Sequence, residues 1–248
     1  MNKYGGERLD LEDPKGKGVL VEHLARYRLV EGPPESIVLD AGCAEGHGSR
    51  LLAERFAQVY GVDLCAEAVA AARKLSAEVA NLSLDTGSAT DLAYKDGFFD
   101  RIAAFEMFEH VSSWQELLAE FRRVLKPGGV LYISTPNVDV YSAGRRPSLN
   151  KYHLHEMDPP EFREALSTYF TVEGFLGQRT PVYNDHVIWG ELGPMLHNPE
   201  VPHDLRNAIK LTTCDWIKPS LDNDDIVFSD DPAEIARSRF LIGICRRS

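Results

Sequence analysis

Ser36-Ile-Val-Leu-Asp-Ala-Gly-Cys-Ala-Glu-Gly-His-Gly48 decides the fold of this chain. A short apolar run, Ile37 to Leu39, ends in Asp40 and opens into a loop carrying Gly42, Gly46 and Gly48. Leu51, Leu52, Ala53 and Phe56 then recur with the spacing of a buried helix face. Strand, glycine-rich turn and helix together mark a ligand site at the carboxyl edge of a parallel sheet. Glycine serves there because no Cβ holds the ligand away from the backbone. The spacing is Gly-x-x-x-Gly-x-Gly, whereas a dinucleotide site uses Gly-x-Gly-x-x-Gly.

Working outward, Gln58-Val-Tyr-Gly-Val-Asp63 is a second β-rich run closed by an acid. Its distance from Asp40 is close to the ~20-residue offset at which a carboxylate meets ribose hydroxyls. Ala66 to Ala80 is dense in helix formers, and Leu82 to Leu84 reads as a third strand. Phe98 to Phe105 forms a fourth, with Glu106 at its carboxyl end. Ser112 or Ser113 is placed to cap a helix through Trp114, Leu117, Leu118, Phe121 and Leu125, which Lys126-Pro-Gly-Gly129 should stop. Val130 to Ile133 is a fifth strand. Asp158-Pro-Pro160 opens a helix, Phe170 to Phe175 is a sixth strand and Phe240 to Cys245 the last. Regular alternation predicts an α/β fold with a doubly wound, Rossmann-like sheet, mostly parallel, its last strand antiparallel.

The organisation expected is one domain over residues 1–248. Residues 1–18 read as a flexible arm, 19–35 as an N-terminal helix ended by Gly32-Pro-Pro34, and 36–137 as the ligand-binding core. Residues 177–236, punctuated by five prolines between Pro181 and Pro219, read as a helical or irregular insert serving as lid or partner surface.

Composition narrows the function classes. The net charge of −11 opposes non-specific binding to nucleic acid or anionic membranes. Cys43, Cys65, Cys214 and Cys245 form no Cys-x-x-Cys pair, so they read as reduced thiols of a cytoplasmic protein. No apolar run approaches membrane-spanning length.

With the motifs in hand, the chain resembles the class I S-adenosylmethionine-dependent methyltransferases. Val38 to Gly46 is similar to their first motif and Gly61-Val-Asp63 to their second. Phe98-Phe-Asp-Arg101, Arg123 to Gly129 and Ser134-Thr-Pro-Asn137 follow in the expected order. Glu22 to Tyr27, Phe105 to His110, Tyr152 to Glu156 and Gly177-Gln178 resemble a subgroup linked to saccharide and surface-glycan biosynthesis. The resemblance implies that Asp40, Ala41, Gly42, Cys43 and Gly46 approach the cofactor's amino-acid end, and that Asp63 holds its ribose. Leu64, Ser88 and Ala89 would surround the adenine, while Phe105 and Glu106 would underlie the sulfonium. Many relatives carry an acid where this chain has Ser88, so Asp85 or Asp91 is an alternative adenine contact. His23, Arg26 and Tyr27 would close over the cofactor from the N-terminal helix, and His47 reads as a solvent-facing loop residue.

The reaction centre is expected at Glu106-Met-Phe-Glu109-His110. Methyl transfer to a hydroxyl needs alignment of the acceptor and removal of its proton, for which His110 is suited near neutral pH. Glu-x-x-Glu-His also resembles the metal-binding segment of small-RNA 2′-O-methyltransferases and ubiquinone-biosynthesis O-methyltransferases. That resemblance implies Glu106, Glu109, His110 and His153 as ligands for Mg²⁺ or Mn²⁺, with Glu109, His110 and His153 as the catalytic group. The expected reaction is O-methylation of a small molecule, foremost a sugar or oligosaccharide. The rivals are a quinone or phenolic metabolite, the 2′-hydroxyl of an RNA 3′ end, and a non-catalytic cofactor-binding or scaffolding protein. A homodimer is compatible with the insert and arm.

Overall fold

The computed structural model describes residues 14–148, 150–180 and 226–248. The expected arm, up to residue 13, most of the insert (181–225) and Cys214 lie outside them. Eight strands form one sheet: β1 (Ile37–Ala41), β2 (Gln58–Asp63), β3 (Leu82–Thr86), β4 (Phe99–Ala104), β5 (Leu125–Pro136), β6 (Thr171–Arg179), β7 (Val227–Ser229) and β8 (Phe240–Arg246). Their order is β3-β2-β1-β4-β5-β8-β6-β7. β3, β2, β1, β4 and β5 are mutually parallel, and β8 runs antiparallel between β5 and β6. The expected sheet and its reversed last strand are therefore present.

The α-helices among the described residues are α1 (Pro14–Arg28), α2 (His47–Ala53), α3 (Ala66–Leu75), α4 (Trp114–Val124), α5 (Val138–Tyr141), α6 (Pro159–Ser167) and α7 (Pro232–Ala236). Successive strand side chains face opposite layers. Leu39, Ile102, Leu131 and Ile133 join Leu117, Leu118 and Phe121 of α4 and Phe162 of α6 in one core. Val38, Val59, Ala103 and Tyr132 join Tyr27, Leu52 and Phe56 in the other. Burial on both faces is why these strands read as nearly continuous apolar runs.

Several expected boundaries move. α1 begins at Pro14, inside the expected arm, because proline suits the first helical turn. α3 ends at Leu75, short of Ala80. Ser113 sits at the N-cap of α4 but makes no side-chain capping bond. Lys126 to Gly129 lie inside β5: after α4 ends, Leu125 pairs with Phe99, and pairing resumes at Val130 with Arg101. Gly128 takes φ +77° in that irregularity. β7 and α7 fall inside the expected insert. α6 opens at Asp158-Pro-Pro160 as expected, and there Asp158 forms a full capping box with Glu161. No helix among the described residues is long and apolar enough to cross a membrane.

Candidate active site

A cavity of about 610 Å³ opens at the carboxyl ends of β1, β2 and β4. Its walls come from α1 (Leu20, His23, Leu24, Tyr27), the glycine loop (Gly42 to Glu45, His47, Gly48) and the β2 end (Asp63, Leu64). Gly87 to Thr90, Phe105 to Met107, His110 to Ser113 and Tyr152 complete it. Gly42 adopts φ +77°, and a Cβ there would stand 3.0 Å from that of Met107. Gly46 adopts φ +74° but faces Ala72 of α3 and does not line the cavity. The two glycines thus differ in place: Gly42 lines the cavity against Met107, and Gly46 lets α3 pack.

Asp63 is buried and organises the loop around it. Its Oδ2 accepts the Ala44 N–H at 3.0 Å and its Oδ1 the Cys65 N–H at 2.8 Å. Leu64 is 73% exposed beside it, an apolar side chain free to cover a flat ring. Ser88 and Ala89 line the cavity from the loop after β3; the Ser88 hydroxyl pairs with that of Thr90 at 2.7 Å. Asp85 turns to Arg73 at 3.0 Å, and neither Asp85 nor Asp91 lines the cavity.

Asp40 and Ala41 are fully buried behind the cavity wall. Asp40 accepts the Tyr27 hydroxyl at 2.9 Å and the Ser49 hydroxyl at 2.5 Å. Burial pushes its carboxyl up to about 6, against the hydrogen bonds that favour the ion. Its role here is to fix Tyr27, whose ring lines the cavity and meets Phe105 edge-on at 4.9 Å. Such a pair adds about 0.5–1.5 kcal/mol beyond its buried area. His47, expected in solvent, lines the cavity instead, its Nδ1 2.8 Å from Arg50; burial pushes its imidazole below the usual range.

Glu106 has φ +53°, a strained value for a side chain of its size. Ser134 supports that turn twice, accepting the Glu106 N–H at 3.0 Å and donating to its Oε1 at 2.7 Å. Arg26 Nη1 lies 3.8 Å from the same oxygen. Arg26 does not face the cavity; it turns toward β8 and β6, unlike its α1 neighbours His23 and Tyr27.

His110 lines the cavity from a short 3₁₀ turn, Phe108–His110. Its Nδ1–H donates to the Tyr152 carbonyl at 2.9 Å, which leaves Nε2 as the basic nitrogen, 3.8 Å from Glu109 Oε1. Glu109 and His153 lie behind it, nearly inaccessible. Burial, then the charge of Glu106, pushes the Glu109 carboxyl well above the usual range, and its Oε2 has no hydrogen-bond partner. His153 Nδ1–H donates to Glu156 at 2.6 Å, and Asn150 Nδ2 lies 2.9 Å from Nε2. Against the upward push of burial, bonds from His153, Ser142 and Ser148 hold Glu156 below the usual carboxylate range. One ligand atom each from Glu109, His110 and His153 lies within 4.8 Å of the others. The expected fourth ligand, Glu106, is outside that cluster because Ser134 and Arg26 hold its carboxylate.

The sequence reading missed Tyr152 as a wall residue and as the group that orients His110. No local signal announces a backbone carbonyl arriving from 42 residues away.

Residues 39–133 match the protein family described as "Methyltransferase domain". A Mycolicibacterium smegmatis protein named "Probable S-adenosylmethionine-dependent methyltransferase" is 37% identical over 141 residues, 56% of this chain and 54% of that one. A ubiquinone biosynthesis O-methyltransferase from Xanthomonas oryzae is 40% identical over 167 residues, 66% of this chain and 62% of that one. The chain thus spans about half the length of the first of these relatives and under two thirds of the second. Among solved structures, an S-adenosylmethionine-dependent methyltransferase from Thermotoga maritima superposes with TM-score 0.63 at 16% identity, covering 95% of this chain and 91% of that one. That likeness establishes the shared fold.

Proposed function

We propose that this chain, whose residues 39–133 match a methyltransferase domain, is a class I S-adenosylmethionine-dependent methyltransferase that methylates a hydroxyl group of a small molecule. The observation that carries the proposal is His110: its Nδ1–H is fixed by the Tyr152 carbonyl, and Nε2 is left as a base at the cavity. S-adenosylmethionine supplies, when bound, a methyl carbon activated by positive sulfur. The chain's own residues cradle and align. Gly42 allows close backbone approach, Asp63 offers a buried carboxylate to ribose hydroxyls, and Leu64 with Ser88 and Ala89 flanks the adenine. His110 Nε2 takes the proton of the acceptor hydroxyl as the oxygen–carbon bond forms. Glu109, 3.8 Å away, stabilises the resulting imidazolium when ionised.

For the acceptor, the relative whose name gives a pathway is an O-methyltransferase of ubiquinone biosynthesis. This favours a quinone or phenolic metabolite over the saccharide suggested by the subgroup motifs. The charge of −11 argues against an RNA end. A base positioned at the cavity argues against a purely scaffolding role.

A second reading adds a divalent metal, favoured by the unpartnered Oε2 of Glu109 beside His110 and His153. Two imidazoles and one carboxylate suit Mn²⁺ better than the oxygen-seeking Mg²⁺, provided Asn150 releases His153 Nε2. Such an ion would lower the hydroxyl pKa and hold two vicinal oxygens. A methyl-transfer screen with labelled cofactor over catechols, mannosides, glucosides and short RNAs tests the acceptor. Running it with EDTA separates the two mechanisms: undiminished turnover leaves His110 as base without metal, and loss restored by Mn²⁺ supports the cluster.

A further inference from the structure

Tyr152 joins the cavity wall beside His110 and is held there by its backbone. Its carbonyl accepts the His110 Nδ1–H at 2.9 Å, and its N–H donates to Asn150 Oδ1 at 3.1 Å. Two residues on, the Leu154 N–H donates to the Glu109 carbonyl at 2.9 Å. His155 Nε2–H donates to the Val111 carbonyl at 2.9 Å. The loop is thus clipped to the residues on both sides of His110, and the fold fixes where the Tyr152 side chain begins.

The fold leaves the ring itself nearly unused. Tyr152 is 40% exposed, and among the described residues the one cation or ring that meets it is Lys151, whose Nζ lies 4.8 Å from the centroid. A single exposed aromatic is ordinary on a protein surface. Tyr152 differs in place, because it lines the cavity next to the histidine that its own carbonyl orients. Tyr27 and Phe105, the other two such rings in the described wall, are buried and packed edge-on against each other. Only Tyr152 among the three offers an accessible face.

Its neighbours decide what that face can receive. Met107 and Val111 flank His110 in the wall, followed by Ser112 and Ser113. Among the described lining residues there is no Asn, Gln, Lys or Arg. Of the wall's carboxylates, Asp63 braces the glycine loop and Glu106 is held by Ser134. A sugar ring carries a hydroxyl on most of its carbons, and each one desolvated without a partner costs binding. A planar aromatic acceptor brings a π face and few hydroxyls, which is what this wall matches.

We propose that the Tyr152 ring is the platform on which a planar aromatic acceptor stacks, its hydroxyl directed at His110 Nε2. The proposal rests on the reading of the cavity as a methyl-acceptor site. Lys151 covers one face of the ring, and the acceptor takes the other. One residue then orients both partners of the proton transfer: its carbonyl sets the imidazole, and its ring sets the acceptor.

The test compares catechol with cis-1,2-cyclohexanediol, which keeps the vicinal hydroxyls without the π face, and with methyl glucoside. Binding is measured by calorimetry on protein saturated with S-adenosylhomocysteine, and turnover with labelled S-adenosylmethionine. The parent should bind catechol about tenfold or more tightly than either comparator. Tyr152→Phe should keep that ratio. Tyr152→Leu, which retains apolar bulk and the backbone carbonyl, should bring it close to one. In catechol turnover, Tyr152→Leu should raise KM about tenfold and leave kcat within about threefold, because His110 keeps its carbonyl partner. Equal binding of catechol and the diol by the parent overturns the proposal, as does tighter binding of the glucoside. So does a catechol preference that survives Tyr152→Leu, or one lost equally in Tyr152→Phe, which would assign the contact to the hydroxyl. A fall in kcat with KM unchanged would leave only the carbonyl's role and overturns it too. Affinity for S-adenosylhomocysteine should stay within about threefold in both variants; a larger loss with an unchanged circular dichroism spectrum would place the ring at the cofactor and overturn the proposal. Ring-dependent catechol binding without methylation of any probe would defeat the O-methyltransferase reading and leave the Tyr152 platform standing.

Discussion

Tyr27 donates its hydroxyl to Asp40 across 2.9 Å, and the two residues are buried together at the junction of α1 with the first strand. Helix and sheet are therefore joined at the cofactor side by a hydrogen bond to a carboxylate that burial holds near 6. Because that value lies above the ordinary 3.8, the folded protein binds the Asp40 proton more tightly than the unfolded chain does. The stabilisation is complete below pH ~4 and is lost as pH rises through ~6; at pH 7 the ionised carboxylate costs about 3 kcal/mol. Asp40→Asn should remove this dependence. Urea unfolding at pH 4.5 and 7.5 should show the variant gaining on the parent at the higher pH, and parallel profiles would refute the assignment.

The Tyr27 ring lies so close over Gly48 that an alanine Cβ would stand 2.0 Å from its Cζ. Gly48→Ala must displace the ring, at a cost of about 1–3 kcal/mol in thermal unfolding. Adding Tyr27→Ala should cost less in that background than in the parent, because the two changes share one clash. Additive losses would place the strain elsewhere.

Asp63 braces the Ala44 and Cys65 amides as well as facing the cavity. Asp63→Ala should weaken S-adenosylhomocysteine binding by about 10–100-fold in calorimetry, the range of lost charge-assisted bonds. Leu64→Ala, losing only an exposed apolar cover, should weaken it far less.

His110→Ala should lower kcat by about 10²–10⁴, the usual contribution of a general base. S-adenosylhomocysteine affinity should be nearly unchanged, since Asp63 and the glycine loop carry that end of the cavity. Equal losses in both would mean that His110 holds the cofactor.

The cavity walls at the ends of β1 and β2 were legible in part because their determinants are local. Gly42 and Asp63 lie at the ends of strands whose apolar runs announce themselves, whereas Asp40, Ala41 and Gly46, expected beside them, do not line the cavity. The rest of the cavity was not. Arg26 meets Gln178 across 152 positions, and His110 is oriented by a carbonyl on another loop. Glu106 was placed correctly at the end of β4, but its left-handed backbone and its bond to Ser134 separate it from Glu109 despite their three-residue spacing. Lys126 to Gly129 do follow the end of α4, but they lie inside β5, which was not foreseen because a glycine that ends a helix and one that bends a strand look alike in sequence.

The position of β8 bears on how the protein is made. The described strand latest in sequence is not the outermost: β8 pairs with β5 on one flank and β6 on the other. During synthesis, β1 to β5 can pair as they emerge, whereas β6 and β7 reach the sheet only through β8. The glycine loop and Asp63 can thus take shape on a nascent chain well before Arg26 finds Gln178 and Phe240. A ribosome-bound intermediate of this kind would carry the loops after β1 and β2 before the far side of the sheet is closed.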